Sequence, residues 1–156
     1  MRPLEKDAFW LDWFKDELTQ GRSVVLPCKG YSMYPAFKPG EKLIVEPFDS
    51  EKISLNDVLV FENEKQLIAH RLISFRSTDG SYLTQGDSCL FEDNCVDTSA
   101  ILGKITFVVK NGRKVSIKTK RVNNIQRYFW RSVLNIYWFF KLGFTNLNKR
   151  FNHKFR

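Results

Sequence analysis

The run Ile101-Leu102-Gly103-Lys104-Ile105-Thr106-Phe107-Val108-Val109-Lys110-Asn111-Gly112-Arg113-Lys114-Val115-Ser116-Ile117-Lys118-Thr119 decides the fold class. Two stretches rich in β-branched and apolar residues, 101–109 and 114–119, flank Asn111-Gly112. A two-residue type I′ turn needs positive φ at both positions, and Asn-Gly provides it at least cost, so the run predicts a β-hairpin. Moving toward the N-terminus, similar short runs recur at Val24-Val25-Leu26, Leu43-Ile44-Val45, Val58-Leu59-Val60-Phe61, Leu67 to Phe75 and Tyr82-Leu83-Thr84. Gly, Pro, Asn and Asp divide them, and Asn63-Glu64 and Asp79-Gly80 mark two further turns. So many closely spaced strands with almost no helix predict a mainly β domain, a coiled sheet or small barrel.

Both flanks of this β region differ from it. Glu5 to Gln20 sets Phe9, Trp10, Trp13, Phe14 and Leu18 near helical spacing with charges between them, and Gly21 follows as a stop. This predicts a short amphipathic helix whose aromatic stripe packs on the domain. After Arg121 the chain becomes dense in aromatics, among them Tyr128, Phe129, Trp130, Tyr137, Trp138, Phe139, Phe140 and Phe144, and a helix is again expected. The division is therefore residues 1–120 as a β domain with its N-terminal helix and 121–156 as an aromatic, basic tail.

With 156 residues, 43% of them hydrophobic, the chain has enough for one compact domain and an appendage rather than two cores. The net charge of +8 is placed unevenly. Residues 110–156 hold thirteen Lys or Arg and no acid, whereas the first 109 hold twelve bases against 17 acids. A basic tail of this kind meets an anionic surface. The longest uncharged run in it, Ser132 to Phe140, is about half of the roughly 20 residues a spanning helix needs. Aromatics mixed with Arg127, Arg131, Lys141, Lys149, Arg150, Lys154 and Arg156 suit two readings equally: a helix lying in an anionic membrane interface, or one docked on the sheet with a solvated basic end. Cys28, Cys89 and Cys95 are odd in number and lack zinc or redox spacing, so free thiols are expected, and neither metal nor cofactor is called for.

Three short segments could carry chemistry. Ser32 lies in Gly30-Tyr31-Ser32-Met33-Tyr34-Pro35, a loop between two predicted strands. A serine hydroxyl is a weak nucleophile until a base takes its proton. His70 is one of two histidines and lies mid-strand in Leu67-Ile68-Ala69-His70-Arg71-Leu72-Ile73, where alternation puts it on a face with Ile68 and Leu72 and turns Arg71 away. Imidazole is the side chain whose charge changes near neutral pH, which suits a general base. Thr84-Gln85-Gly86-Asp87, followed by Asp93, offers two acids that could orient the histidine. Each segment has an ordinary structural alternative: a turn serine, a sheet histidine and a turn-capping aspartate.

Taken together, the Ser, His and Gly-Asp segments resemble the type I signal peptidases, and among them the histidine-using branch found in archaea and the endoplasmic reticulum. The resemblance covers roughly Ser23 to Ile105. It implies a serine endopeptidase with Ser32 as nucleophile, His70 as base and Asp87 or Asp93 as the orienting acid, Asp87 ranked modestly first. Gly30 and Met33 would border the substrate and the oxyanion. The substrate would be an extended peptide or leader with small side chains before the cut. Bacterial members use a lysine base, but the only lysine near this segment, Lys65, falls in a polar turn, so histidine is preferred.

The chain also departs from the pattern. Gly30 stands where many members have a second serine, which would leave the oxyanion to backbone N–H groups. Ser88 and Cys89 replace the asparagines after the Gly-Asp pair. Met1 to Gly21 carries Asp7, Asp12, Lys15, Asp16 and Glu17, so neither a secretory signal nor the usual anchor is expected, and the domain should act in the cytoplasm or at the cytoplasmic membrane face. The LexA-type repressors, relatives that share the Gly-x-Ser-Met segment, suggest the alternative of a lapsed or self-cleaving regulatory module at a membrane surface. Some twenty residues before the first strand are too few for a helix-turn-helix unit, so nucleic acid is not an expected partner.

Overall fold

The computed structural model describes residues 3–76, 80–117, 128–130, 132–133 and 135–136. Helix α1 (Pro3–Thr19) precedes seven strands: β1 (Val24–Pro27), β2 (Lys42–Pro47), β3 (Val58–Asn63), β4 (Gln66–Phe75), β5 (Tyr82–Gln85), β6 (Ile101–Lys110) and β7 (Arg113–Ser116). They form one antiparallel sheet in the order β1-β2-β6-β3-β4-β5, with β7 paired to β6. The mainly β expectation holds, and each predicted run contributes a strand.

Strand β6 is shared among three neighbours. Its first half pairs with β3 and its second half with β7, while β2 runs along the other side. Register shifts at Ile44/Val45, Val60/Phe61 and Leu72/Ser74 mark bulges, which bend strands and increase their twist. Gly103 permits the closest approach, because a Cβ there would collide with the Glu46 carbonyl and stand 2.7 Å from Val45 Cγ1. Asn111 and Gly112 take φ of 50° and 76°, as a type I′ turn requires. The β3–β4 turn lies one residue later than its sequence signal: Glu64 and Lys65, not Asn63, adopt positive φ at 49° and 62°. The register Asn63↔Gln66 leaves only those two residues to close the hairpin.

Alternation along β3 divides the core. Val58 and Val60 join Phe14, Met33, Phe37, Val45 and Ile105 on one side, and Leu59 and Phe61 join Leu72, Tyr82, Val96 and Ile101 on the other. Helix α1 contributes Phe14 and Leu18 to the first cluster, and Leu11 is buried on the same helical face one turn earlier. The expected aromatic stripe is therefore only partly a packing face: Phe14 is fully buried, but Phe9 is 69% and Trp13 43% exposed. Leu11 and Leu18, three residues before and four after Phe14, take the places beside it, whereas Phe9 and Trp13 lie on a different face of the helix.

Gly21, at φ 78°, ends the helix. Its N–H donates to the Leu18 carbonyl and that of Arg22 to the Glu17 carbonyl, the two bonds of a Schellman cap. Met1–Arg121 and Val122–Arg156 form two compact units. In the second, residues 128–130, 132–133 and 135–136 are helical, and the remainder of the expected aromatic helix and basic tail lies outside the described residues. Among the described residues no helix is long and apolar enough to cross a membrane.

Candidate active site

The β1–β2 connection carries Ser32, and its own packing fixes it. Cys28 N–H donates to the Glu41 carbonyl and Gly40 N–H to the Cys28 carbonyl, closing the loop at its base. Met33 and Phe37 anchor it in the core at 2% exposure each, and Lys110 Nζ donates to the Ala36 carbonyl at 2.7 Å. Ser32 is left half-buried between these anchors. Met33 was expected at the edge of the substrate site. Its side chain is instead part of the hydrophobic core, so only its backbone can face a substrate.

His70 lies on β4 opposite Leu59 and is 7% exposed, with the Phe61 ring edge-on at 6.3 Å. Its Nδ1 is 2.6 Å from Asp93 Oδ2. With the carboxylate ionised, Nδ1 carries the proton of this bond. Thr84 on β5 holds Asp93 twice: its hydroxyl donates to the same Oδ2 at 2.6 Å, and its carbonyl accepts the Asp93 N–H at 2.8 Å. Residues 86–93 thus form an excursion that returns to β5 at Asp93, and the Tyr82↔Val96 bridge continues the pairing.

Asp87 has another partner. It is fully buried and accepts Arg71 Nε on one oxygen and Nη2 on the other, both at 2.7 Å, while Arg71 Nη1 donates to the Asn56 carbonyl. The order of preference between the two acids is thereby reversed: the acid on His70 is Asp93. Alternation along β4 explains it. His70 and Arg71 point to opposite faces, and the excursion supplies one acid to each.

The contact between the two halves of the site runs through the turn 86–89, closed by Cys89 N–H donating to the Gly86 carbonyl. Ser88 N–H donates to the Ser32 carbonyl at 2.9 Å, and the Ser88 hydroxyl lies 2.8 Å from the Tyr31 carbonyl and 3.0 Å from that of Ser32. Gln85 Nε2 braces the turn by donating to the Cys89 and Leu90 carbonyls. A Cβ on Gly86 would stand 2.7 Å from the Ser32 carbonyl oxygen, 2.7 Å from Cys89 Sγ and 3.0 Å from His70 Nε2. The Ser32 carbonyl oxygen and His70 Nε2 therefore both border a position that admits only glycine. Gly30, by contrast, has open space where its Cβ would be. Among the described residues the Ser32 hydroxyl makes no hydrogen bond to the imidazole. Such contacts are often loose before substrate is bound.

Lys65, the rejected base, is exposed in the β3–β4 turn. No disulfide joins Cys28, Cys89 and Cys95, and burial pushes the Cys28 thiol above its ordinary range, the Gly30 carbonyl partly opposing this. Among the described residues no cluster of His, Cys, Asp and Glu could hold a metal ion. Sequence reasoning missed Thr84 as the second holder of Asp93, Ser88 as the clasp on the serine loop and Arg71 as the partner of Asp87. The only signal for any of them was adjacency to His70 or Asp87. No protein-family model matches the chain, and a search of curated proteins finds no match.

Proposed function

We propose that the protein is a serine endopeptidase of signal-peptidase type, with the coiled β-sheet domain of that superfamily. One observation carries the reading: a buried imidazole is held by a carboxylate on Nδ1, and its Nε2 and the Ser32 carbonyl oxygen both border the Cβ position of Gly86. In this reading Ser32 Oγ attacks the peptide carbonyl carbon while His70 Nε2 takes its proton. The same proton passes to the leaving amine as the C–N bond breaks, and water, deprotonated by His70, then hydrolyses the acyl-enzyme. Asp93 keeps the imidazole in the useful tautomer. Backbone N–H groups of the serine loop receive the oxyanion, since Gly30 has no side chain to offer. The substrate is an extended peptide or leader segment, laid along a sheet edge as an added strand.

The missing bond between Ser32 and His70 favours a second reading, a lapsed or self-cleaving module on the same scaffold. A fluorophosphonate probe separates the two. Labelling of wild type that is lost in Ser32→Ala and in His70→Ala supports the peptidase. Labelling that persists in Ser32→Ala removes the proposed nucleophile, and an unlabelled wild type favours the module.

A further inference from the structure

Ser88 has no part in the mechanism above, yet it makes three contacts with the backbone of the serine loop. Its N–H donates to the Ser32 carbonyl at 2.9 Å, and its hydroxyl lies 2.8 Å from the Tyr31 carbonyl and 3.0 Å from that of Ser32. The hydroxyl has one proton for the two carbonyls, and Tyr31 is the nearer. Ser88 is 7% exposed, so water is a poor competitor for these bonds. Its own place is fixed on both sides: Asp87 is tied to Arg71, and Cys89 N–H closes the turn on the Gly86 carbonyl. The Tyr31 carbonyl also accepts the Tyr34 N–H at 2.9 Å, which closes a four-residue turn with Ser32 and Met33 at its centre.

Two successive carbonyls of the loop are therefore held, and each belongs to a peptide that ends in an N–H. The Tyr31 carbonyl shares a peptide with the Ser32 N–H, and the Ser32 carbonyl with the Met33 N–H. Among the described residues neither N–H donates to an acceptor. Both peptides are trans and planar, so fixing a carbonyl fixes the direction of its N–H, which points the opposite way. A bond accepted by the carbonyl also polarises the peptide and strengthens the N–H as a donor. The N–H of an attacking serine lies close to the carbonyl its own hydroxyl attacks, where negative charge develops. We infer that Ser88 is a positioning residue for the oxyanion: it orients the two peptides that present the Ser32 and Met33 N–H groups. The inference rests on the reading of Ser32 as nucleophile, and it gives the backbone oxyanion site the support that the open position at Gly30 does not supply.

Two measurements on the full chain test it, with Ser88→Ala, which removes the hydroxyl, and Ser88→Thr, which keeps one. The maximal rate of fluorophosphonate labelling should fall about 10-fold in Ser88→Ala, less than the loss of a whole oxyanion donor, and the half-saturating probe concentration should hold. Ser88→Thr should recover most of the rate. Tyr31–Ser32 is the only Tyr-Ser pair in the sequence, so isotope labels on the Tyr carbonyl carbon and the Ser nitrogen give one NMR correlation for that peptide. Its carbonyl signal should move upfield in Ser88→Ala, as loss of an accepted hydrogen bond requires, and stay near the wild-type position in Ser88→Thr. A Ser88→Ala that labels at the wild-type rate, a change in half-saturation alone, a Ser88→Thr as slow as Ser88→Ala, or an unmoved Tyr31 signal overturns the inference. A wild type that takes no fluorophosphonate overturns the serine reading and the oxyanion role with it, while the Tyr31 signal still decides whether Ser88 orients that peptide.

Discussion

His70 and Arg71 are neighbours on β4, and each holds one acid of the excursion 86–93, but the two pairs are built for different ends. Arg71 and Asp87 are 2% and 0% exposed and meet through two parallel bonds, with a third guanidinium bond to the Asn56 carbonyl. A permanent charge pair removed so fully from water is sustained only when its partners are satisfied. The other pair is partly open, since the Asp93 side chain is 27% exposed. Its cation exists only when His70 is protonated, and the carboxylate engages only one of the two imidazole nitrogens. The buried pair fastens the excursion to the sheet, and the half-open pair uses the position so created.

The comparison is broken most severely at Asp87. Asp87→Ala removes the carboxylate that balances the Arg71 charge in the interior, a loss of about 3–5 kcal/mol for a buried pair cut on one side. Urea unfolding should show it as a lower midpoint. The double variant Arg71→Met/Asp87→Leu should recover most of the loss, and an equal loss in single and double variants would mean that the excursion needs the ion pair itself. Asp93→Asn should behave in the opposite way. Unfolding should move little, while fluorophosphonate labelling should slow by about 100-fold, the lower end of what a positioned base supplies. Similar unfolding losses at both acids would erase the distinction between the pairs.

Gly86→Ala sharpens the comparison at the residue between the two. The added methyl meets a backbone carbonyl, a thiol and the imidazole within 3.0 Å, and overpacking of this kind costs about 1–3 kcal/mol. The Arg71–Asp87 pair should survive in the folded fraction while labelling at Ser32 is lost. A variant that labels at the wild-type rate would show that the space over Gly86 has no part in the reaction.

The strands and the Asn111-Gly112 hairpin were legible because alternation and turn chemistry are local. The three site segments were legible for the same reason, each carrying its residues within a few positions. Which acid serves His70 was not legible. Asp87 and Asp93 are both close in sequence, and the choice depends on how the excursion folds back to Thr84. Nor could sequence place Met33 in the core, or set Ser88 against the carbonyls of Tyr31 and Ser32 in a loop more than fifty residues earlier. The second turn was shifted by one residue for a similar reason: the β3–β4 register, rather than the local preference of Asn63, selects Glu64 and Lys65.

The smallest effect is expected at a third acid–cation pair, which lies at the surface and so gives the buried one its scale. Arg22 binds Glu17 through Nε and Nη2 at 2.6 and 2.8 Å, beside the Schellman cap. This hydrogen bonding holds the Glu17 carboxyl below its ordinary value of 4.5, partly opposed by desolvation. A carboxylate with a depressed folded-state pKa contributes stability that is present above the unfolded value and lost as pH falls through the folded one. Melting temperatures of wild type and Glu17→Gln should therefore differ by a small margin above pH 4.5, converge as the pH drops below it, and lie closer at high salt. A gap that persists in acid would assign the effect to the helix end rather than to the charge. It would also remove the contrast on which the reading of Arg71 and Asp87 depends, that bidentate pairing matters for stability where water cannot replace it.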